Sequence, residues 1–197
     1  MKKIFLYLII CVVSCGVARA QDKSRAKDAF SVIHSRKSVR NFTGAAVAKS
    51  DIEKIIRAGM AAPTAVNKQP WSFIVISDRK KLDELAAGLP YAKMLGKAGA
   101  AIIVCAEPQK AAGESKEYAV IDASLASENI LLAVEALGLG AVWTAAYPDE
   151  DRMNHVRALL NIPKHIIPLN VIPIGVPTGD DKPKDKYKPE KIHWEKW

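Results

Sequence analysis

The stretch Ala100-Ala-Ile-Ile-Val-Cys-Ala106 decides the fold, because seven consecutive residues carry no strongly polar side chain. Its β-branched content predicts a strand, and the lack of alternation predicts that both faces of this strand are buried near the centre of a sheet. Upstream, aromatic and β-branched residues from Trp71 to Ser77 predict a second strand. Asp78 to Ala87 is predicted to form a helix between the two strands.

Three further segments predict helices. Asp28 to Arg36 has apolar residues at helical spacing and leads into a basic turn. Ser50-Asp-Ile-Glu53 has the pattern of a capping box, and the helix that it begins is expected to end near Pro63. From Tyr118 to Leu137, apolar positions nearly surround a long helix, so we expect that helix to be buried on all sides.

The C-terminal third predicts one helix between two strands. The strands are Ala141 to Ala146 and Leu169 to Val176, and the helix is Asp149 to Leu160. Pro173 interrupts the last strand, and because proline has no N–H for the sheet, this predicts an edge strand or a bulge.

Residues 177–197 form an arm rich in lysine and proline, with little apolar content. An arm of this composition has no core of its own, yet it ends in Ile192, Trp194 and Trp197, which are costly to leave in water. We therefore expect the arm to dock on another surface, such as a second subunit.

The first twenty residues predict an export signal, with two lysines, an apolar run from Ile4 to Val13 and a small-residue exit at Ala18-Arg19-Ala20. The apolar run is about ten residues and a bilayer needs about 20, so a retained membrane helix is the weaker alternative. Val12-Val13-Ser14-Cys15 also fits a lipoprotein cleavage site. The expected protein is exported and periplasmic, with one folded domain over 21–197, or is anchored through a lipidated Cys15.

Charge and composition argue against several functions. The net charge of +8 comes from 29 Lys+Arg against 21 Asp+Glu, and the C-terminal lysines alternate with acids, which is typical of a solvated arm rather than a nucleic-acid surface. The four histidines lack metal-ligand spacing, and Cys105 has no cysteine partner in the expected mature chain. No nucleophile is paired with a base, so an enzymatic reaction would depend on a cofactor. The histidines are His34, His155, His165 and His193.

Arg36-Lys37-Ser38-Val39-Arg40 is the first of three segments that could carry chemistry. Two guanidinium groups, an ammonium and a hydroxyl offer the donors that the oxygens of a phosphate monoester require. A solvated basic turn is the alternative.

The second segment, Pro63 to Trp71 (PTAVNKQPW), is a stiff loop bracketed by prolines, with the carboxamides of Asn67 and Gln69 ahead of a strand. Carboxamides can bind the edge of a planar ring that alternates donors and acceptors. The alternative is a structural loop in which Asn67 adopts left-handed geometry. The third segment, Gly138 to Thr144 (GLGAVWT), ends the long helix, and a helix C-cap would explain its glycines without any function.

The three segments in this order resemble the nitroreductase family of FMN-dependent oxidoreductases, over about Asp28 to Trp194. The resemblance implies an α+β three-layer sandwich with a mixed, mainly antiparallel sheet. It also implies a homodimer in which the C-terminal arm, about 177–197, is exchanged, and one FMN at each end of the interface.

The resemblance also implies the site residues. The phosphate would be held by Arg36, Lys37, Ser38 and Arg40, with Lys186 and Lys184 from the arm. The isoalloxazine and ribityl chain would be bordered by Pro63, Thr64, Asn67 and Gln69, reaching a flavin bound mainly by the other subunit, and Trp143 and Thr144 would line the other side of the ring. Lys37, Thr64 and Lys186 depart from the commoner Arg, Ser and Arg, but each keeps its charge or hydroxyl.

In this family no side chain is a dedicated acid or base. Flavin N5 accepts hydride from NADH or NADPH and passes electrons to a nitroaromatic, quinone or similar acceptor in a ping-pong cycle. Residues 89–116 are the expected lid. Because the predicted export signal separates the protein from cytoplasmic nicotinamides, two alternatives stay open: an exported flavin-binding or electron-carrier protein without nicotinamide turnover, and a cofactor-free scaffold.

Overall fold

The structure, a computed structural model, describes residues 28–197, so the predicted export signal and lipoprotein site lie outside the described residues. Its centre is an antiparallel sheet of five strands in the order β1-β2-β5-β3, with β4 also paired to β5. The strands are β1 (Trp71–Ile76), β2 (Ala100–Ala106), β3 (Gly140–Ala141), β4 (Thr144–Ala145) and β5 (Ile167–Gly175).

The apolar stretch that decides the fold is a central strand, as predicted. All seven residues of β2 are buried, and the strand pairs with β1 on one side and β5 on the other. Val104 lies opposite Phe73 of β1 and Asn170 of β5. A strand with two partners and two covered faces has no place for a polar side chain, which explains its composition.

Pro173 acts differently from the prediction. Its strand β5 is neither an edge nor broken, and the one register shift against β2 falls between Val104 and Cys105 instead. On the other side, β3 and β4 share one register, which places Pro173 opposite Val142 between them. Proline has no N–H to donate there, so the predicted strand from Ala141 to Ala146 is divided into two short pieces.

Among residues 28–197, five α-helices cover the sheet, which gives the α+β layers expected from the sequence. Helix α4 contacts four of the strands and packs against α2, while α5 contacts β5 and packs against α3. The fully buried faces of β2 and β5 require cover of this kind on both sides. The helices are α1 (Ala29–Ser35), α2 (Lys49–Met60), α3 (Arg79–Gly88), α4 (Lys116–Ala136) and α5 (Glu150–Leu160).

The predicted capping box is wrong. Helix α2 begins at Lys49 after Ala48, which makes no side-chain cap, and Ser50 lies inside the helix. Tertiary packing determines this start instead, because Ile52 and Ile55 are buried in the core.

Helix α4 is the long helix that the sequence predicts, but it is not buried on all sides in one chain. Ile130 and Val134 are buried, whereas Tyr118, Ile121 and Leu125 are 50%, 53% and 42% exposed. These three positions lie on one stripe of the helix. A second surface is needed to cover them, and the described chain does not supply it.

The arm is hydrogen-bonded to its own chain where it begins, and its later residues are exposed. Thr43 donates its backbone N–H to Val176, and Thr178 donates its own to Asn41. Beyond residue 181 every residue is exposed, with Trp194 81% and Trp197 98% exposed. Exchange of this arm between two copies stays a prediction. No helix within residues 28–197 is both long and apolar enough to cross a membrane.

Candidate functional site

The basic segment of residues 36–40, here called the basic turn, lies at the edge of the sheet beside β3. Ser38 pairs in parallel with Ala141, and Val39 donates its backbone N–H to the Ala141 oxygen at 2.9 Å. Val39 also packs on Gly140, where an added Cβ would lie 2.6 Å from the valine side chain. Gly140 is therefore required for the close approach of the turn, while Gly138, at φ +72°, ends α4.

Two carboxylates of α4 hold the cations of the basic turn. Glu128 Oε1 lies 3.2 Å from Arg36 Nε, and the buried Glu135 accepts from Lys37 Nζ at 3.3 Å. Glu135 also accepts a hydrogen bond from Ser35 Oγ at 2.8 Å. The turn is thus fixed from beneath by its own chain, and the charge of Lys37 is partly offset.

The start of the arm lies beside the basic turn, and the two segments line a cavity of about 550 Å³, here called the basic cavity. Asp181 Oδ2 accepts the backbone N–H groups of Arg40 at 3.1 Å and of Asn41 at 3.3 Å, so this carboxylate attaches the arm to the turn. Asp180 and Asp181 both line this cavity. The other lining residues are Arg36, Lys37, Ser38, Arg40, Lys182, Pro183, Lys184 and Lys186.

A second cavity, of about 520 Å³, shares Arg40 with the basic cavity and is here called the aromatic cavity. Trp143 and Thr144 form part of its wall, and Thr144 is fixed because its hydroxyl donates to the Val171 carbonyl of β5. Tyr91 and neighbouring residues from the start of the expected lid also line it. The expectation that all of residues 89–116 form a lid is wrong, because residues 100–106 are the buried central strand β2. Six of the predicted cofactor residues therefore line the basic cavity, and Trp143 and Thr144 line the cavity that adjoins it.

The loop of residues 63–70, here called the amide loop, lines neither cavity. Pro63, Asn67 and Gln69 are exposed and Thr64 is half-buried. The loop is nevertheless ordered by its own bonds, because Thr64 Oγ1 accepts the Gln69 N–H at 3.1 Å and Gln69 Nε2 donates to Asn67 Oδ1 at 2.9 Å.

The backbone of the amide loop is strained. Val66, Asn67 and Gln69 have φ angles of 45°, 57° and 51°, in the left-handed region. The sequence predicted this geometry only for Asn67, and for valine it is a rare one. Strain of this kind persists only where the surroundings impose it, and it is concentrated at functional sites.

Asp122 of α4 anchors the amide loop from beneath. Its Oδ1 accepts the Ala65 N–H at 3.2 Å, while its Oδ2 is buried without a hydrogen-bond partner in the described chain. Asp122 lies six residues before Glu128 and thirteen before Glu135 on one helix, which corresponds to about 9 Å and about 20 Å along its axis. The amide loop and the basic turn are therefore attached to different parts of α4.

Other ionisable groups do not extend this site. Burial raises the pKa of the Cys105 thiol to about 12, so this cysteine is a neutral core residue. For Glu107, burial opposes ionisation, but hydrogen bonds from Lys110 and Ser72 outweigh it and lower the pKa. Within residues 28–197, no group of His, Cys, Asp or Glu side chains could hold a metal ion.

Sequence reasoning missed the acidic residues that position the site. Glu128, Glu135 and Asp122 lie on a helix that was interpreted only through its apolar positions, and each acts on a segment far away in the sequence. A carboxylate among nearly continuous apolar residues was the one available signal, because a buried charge needs a partner.

Comparison with known proteins agrees with the fold and the motifs. The model of the nitroreductase family matches residues 33–89 and 83–176. A provisionally named NADH dehydrogenase/NAD(P)H nitroreductase of Methanothermobacter thermautotrophicus is 43% identical over 172 residues, which cover 86% of this chain and 88% of the relative.

Solved structures give the same result. A provisionally named NADH dehydrogenase/NAD(P)H nitroreductase from Bacteroides thetaiotaomicron is similar with 49% identity and a TM-score of 0.81, over 87% of this chain and 99% of that one. A nitroreductase from Desulfovibrio desulfuricans, solved with FMN, is similar with 28% identity and a TM-score of 0.74, over 87% and 98% of the two chains. The chain therefore belongs to the nitroreductase family.

Proposed function

We propose that this protein is an FMN-dependent oxidoreductase that uses NADH or NADPH to reduce nitroaromatic, quinone or similar acceptors. The observation that carries the proposal is the basic cavity, in which residues distant in sequence converge around space for an anion. Its relatives support FMN as cofactor and NAD(P)H as electron donor, since one was solved with FMN and another is named as an NAD(P)H nitroreductase.

The residues of the basic cavity fit a phosphate monoester. Six cationic side chains and the Ser38 hydroxyl line it, against two carboxylates, and a volume of about 550 Å³ is in the range of ligand sites. Arg40, Lys184 and Lys186 make no ion pair with any carboxylate among residues 28–197. These three, with Arg36 in its fixed position, are the donors that would hold the phosphate.

The aromatic cavity fits the remainder of such a cofactor. Arg40 belongs to both cavities and would place a positive charge beside the flavin ring, and Trp143 and Thr144 would border that ring. When bound, FMN supplies the centre that accepts hydride and returns two electrons. The protein residues then have three tasks, which are to bind, to orient and to exclude water.

The overall reaction balances without a dedicated acid or base. Reduction of a nitro group to a nitroso group consumes two electrons and two protons and releases one water. NAD(P)H supplies both electrons and one proton as hydride, and the solvent supplies the second proton. The described residues of the aromatic cavity include no carboxylate or histidine, which agrees with a cofactor that carries the chemistry.

We further propose that the complete site needs two copies of this chain. The anchor of the amide loop on α4 lies about 9 Å and about 20 Å along the helix from the two anchors of the basic turn, and the exposed side chains of Asn67 and Gln69 line neither cavity. The apolar stripe of α4 and the two terminal tryptophans are exposed in one chain and would be covered in a dimer. In that dimer, Pro63, Thr64, Asn67 and Gln69 would border the flavin of the other copy.

An exported flavin-binding or electron-carrier protein is the second candidate, favoured by the signal-like sequence of residues 1–20. We propose the periplasm as the location in either case. A lipid anchor through Cys15 is the alternative form.

One experiment separates these candidates. The purified protein is expected to be yellow, and anaerobic NADH or NADPH should bleach its flavin absorbance, which a nitroaromatic then restores. Yellow protein that only dithionite reduces would favour the electron carrier. Colourless protein that does not take up added FMN would overturn both. Arg36→Ala should lose flavin, whereas Arg57→Ala, at an exposed arginine of α2 outside both cavities, should not.

A further inference from the structure

The aromatic cavity has a positively charged outer wall that flavin binding does not explain. Lys93 and Arg152 line it on the side formed by the segment after α3 and by α5. The basic turn and the arm supply the donors for the phosphate from another part of the chain. Lys93 and Arg152 are therefore left without a role in the proposed function.

Arg152 is held in place as a ligand group would be. Asp149 pairs with its Nε at 3.2 Å, and the guanidinium carbon lies 5.1 Å from the centre of the Tyr91 ring. That distance is within the range of a cation–π contact. The contact places the arginine beside a tyrosine ring that is 72% exposed and that also lines the cavity.

The side chains that line this cavity carry charge of one sign, and Asp149 outside the lining partly offsets the charge of Arg152. Among the described residues that line it, Arg40, Lys93 and Arg152 are cationic and none is acidic. The basic cavity, by contrast, contains Asp180 and Asp181. Fields from like charges add in a partly enclosed site and attract molecules of opposite charge. The aromatic wall of Tyr91 and Trp143 favours a flat ring.

We propose that the aromatic cavity selects electron acceptors that are flat, aromatic and anionic, with Lys93 and Arg152 as specificity-determining residues for a carboxylate or a similar group. The inference rests on the proposed function, because the acceptor is reduced in this site. Arginine is suited to a carboxylate, since its planar fork can donate two parallel hydrogen bonds. Lys93 adds a point charge from the short helical turn Lys93–Lys97.

The test compares two acceptors that differ in charge, 4-nitrobenzoate and 4-nitrobenzamide. The quantity measured is the ratio of their kcat/KM values. A general loss of flavin or activity lowers both values equally and therefore cancels in the ratio. Arg152→Gln and Lys93→Gln should each lower the benzoate preference by about 1.5-fold to fivefold, the range for exposed charge pairs, and the double variant should lower it further. High salt should lower it in the wild type.

Lys97→Gln is the matched control, since Lys97 is an exposed lysine of the same helical turn that does not line the cavity. It should leave the ratio unchanged. An unchanged ratio in Arg152→Gln and in Lys93→Gln would overturn the proposal, as would an equal change in the control.

A second measurement keeps this proposal separate from the proposed function. Benzoate and benzamide, which cannot be reduced in this way, are titrated into the protein as purified, with the Tyr91 and Trp143 ring signals followed by NMR. Benzoate is expected to shift both signals at lower concentration than benzamide, and Arg152→Gln should remove the difference. Equal binding of the two compounds would contradict the inference even in an active enzyme. A benzoate preference in a protein without turnover would support the selection of anionic aromatic compounds by the cavity and would overturn only the proposed function.

Discussion

The basic turn and the amide loop are both attached to α4 through carboxylates, but they differ in what surrounds them. The basic turn has its partners within its own chain: Glu128 and Glu135 beneath it, Ala141 beside it and the arm above it. The amide loop is also ordered by hydrogen bonds, yet the side chains of Asn67 and Gln69 are exposed. Asp122 and the loop's own hydrogen bonds hold it in a strained shape, and in the proposed dimer its exposed amides would contact the other copy.

The comparison agrees with the proposal that one chain contains two half-sites rather than one site. In that proposal the basic turn would bind the anion, and the amide loop would complete a neighbour's site. Each prediction below changes one half and asks whether the other is affected.

The largest effect is expected from the double variant Arg36→Ala/Arg40→Ala. Each arginine would lose a charge-assisted hydrogen bond to the phosphate, about 1.5 to 3 kcal/mol, so the dissociation constant for FMN should rise by more than about 100-fold. Flavin fluorescence titration measures this. Arg57→Ala is the control, and a double variant that keeps tight FMN binding would place the phosphate elsewhere.

A charge on the exposed stripe of α4 should dissociate the proposed dimer. Ile121→Asp would place a carboxylate on the apolar stripe that the proposed dimer covers, at a cost of several kcal/mol, while the folded chain is affected little because the residue is exposed. Sedimentation should show a monomer, and the turnover of this variant should be low. Lys116→Asp, at an exposed position on the same helix, is the control. A dimeric and fully active Ile121→Asp would contradict the proposed interface.

Asp122→Ala tests the amide loop alone. Without the carboxylate, the Ala65 N–H lacks its acceptor, which should lower the free energy of unfolding by about 1 to 3 kcal/mol. Asp122→Asn keeps an oxygen acceptor and should cost less. Turnover measured at saturating FMN should fall by a larger factor than the affinity for FMN, because the basic turn is unchanged. An equal loss of both would mean that the halves are not independent.

Asp181→Ala should have the smallest effect, about 1 kcal/mol, since the two N–H groups that it releases can reach water. Trypsin should then cleave the arm at Lys184 and Lys186 faster, and FMN should bind more weakly. Asp181→Asn keeps the acceptor and removes a charge beside the phosphate, so it should bind FMN at least as tightly as the wild type. Tighter binding in both variants would show that Asp181 acts only through its charge.

The sequence predicts the central strand better than the start of α2 or the effect of Pro173. β2 has the predicted bounds because seven apolar residues have only one stable location, buried between two other strands. The start of α2 was missed because packing of Ile52 and Ile55 overrides a local capping pattern. Pro173 was assigned the wrong effect because a missing N–H can interrupt the neighbouring strand instead of its own.

In the candidate site, too, some features could be predicted from the sequence and others could not. The motifs identified the basic turn and the amide loop, since their residue types carry the chemistry locally. The anchors, Asp122 and Asp181, could not be predicted, because each bonds a segment at least 57 residues away. The exposed stripe of α4 was predicted as buried because an apolar residue in a sequence does not reveal which chain covers it.

The most direct test of the central claim, that one flavin is held by the turn of one copy and the loop of another, is complementation between two defective chains. One chain carries Arg36→Ala/Arg40→Ala and the other carries Asn67→Ala/Gln69→Ala, and the two are co-expressed. Random pairing makes about half of the dimers mixed, and each mixed dimer has one intact site of two, so turnover should reach about a quarter of the wild-type value. Turnover equal to the mean of the two variants measured alone would contradict the claim.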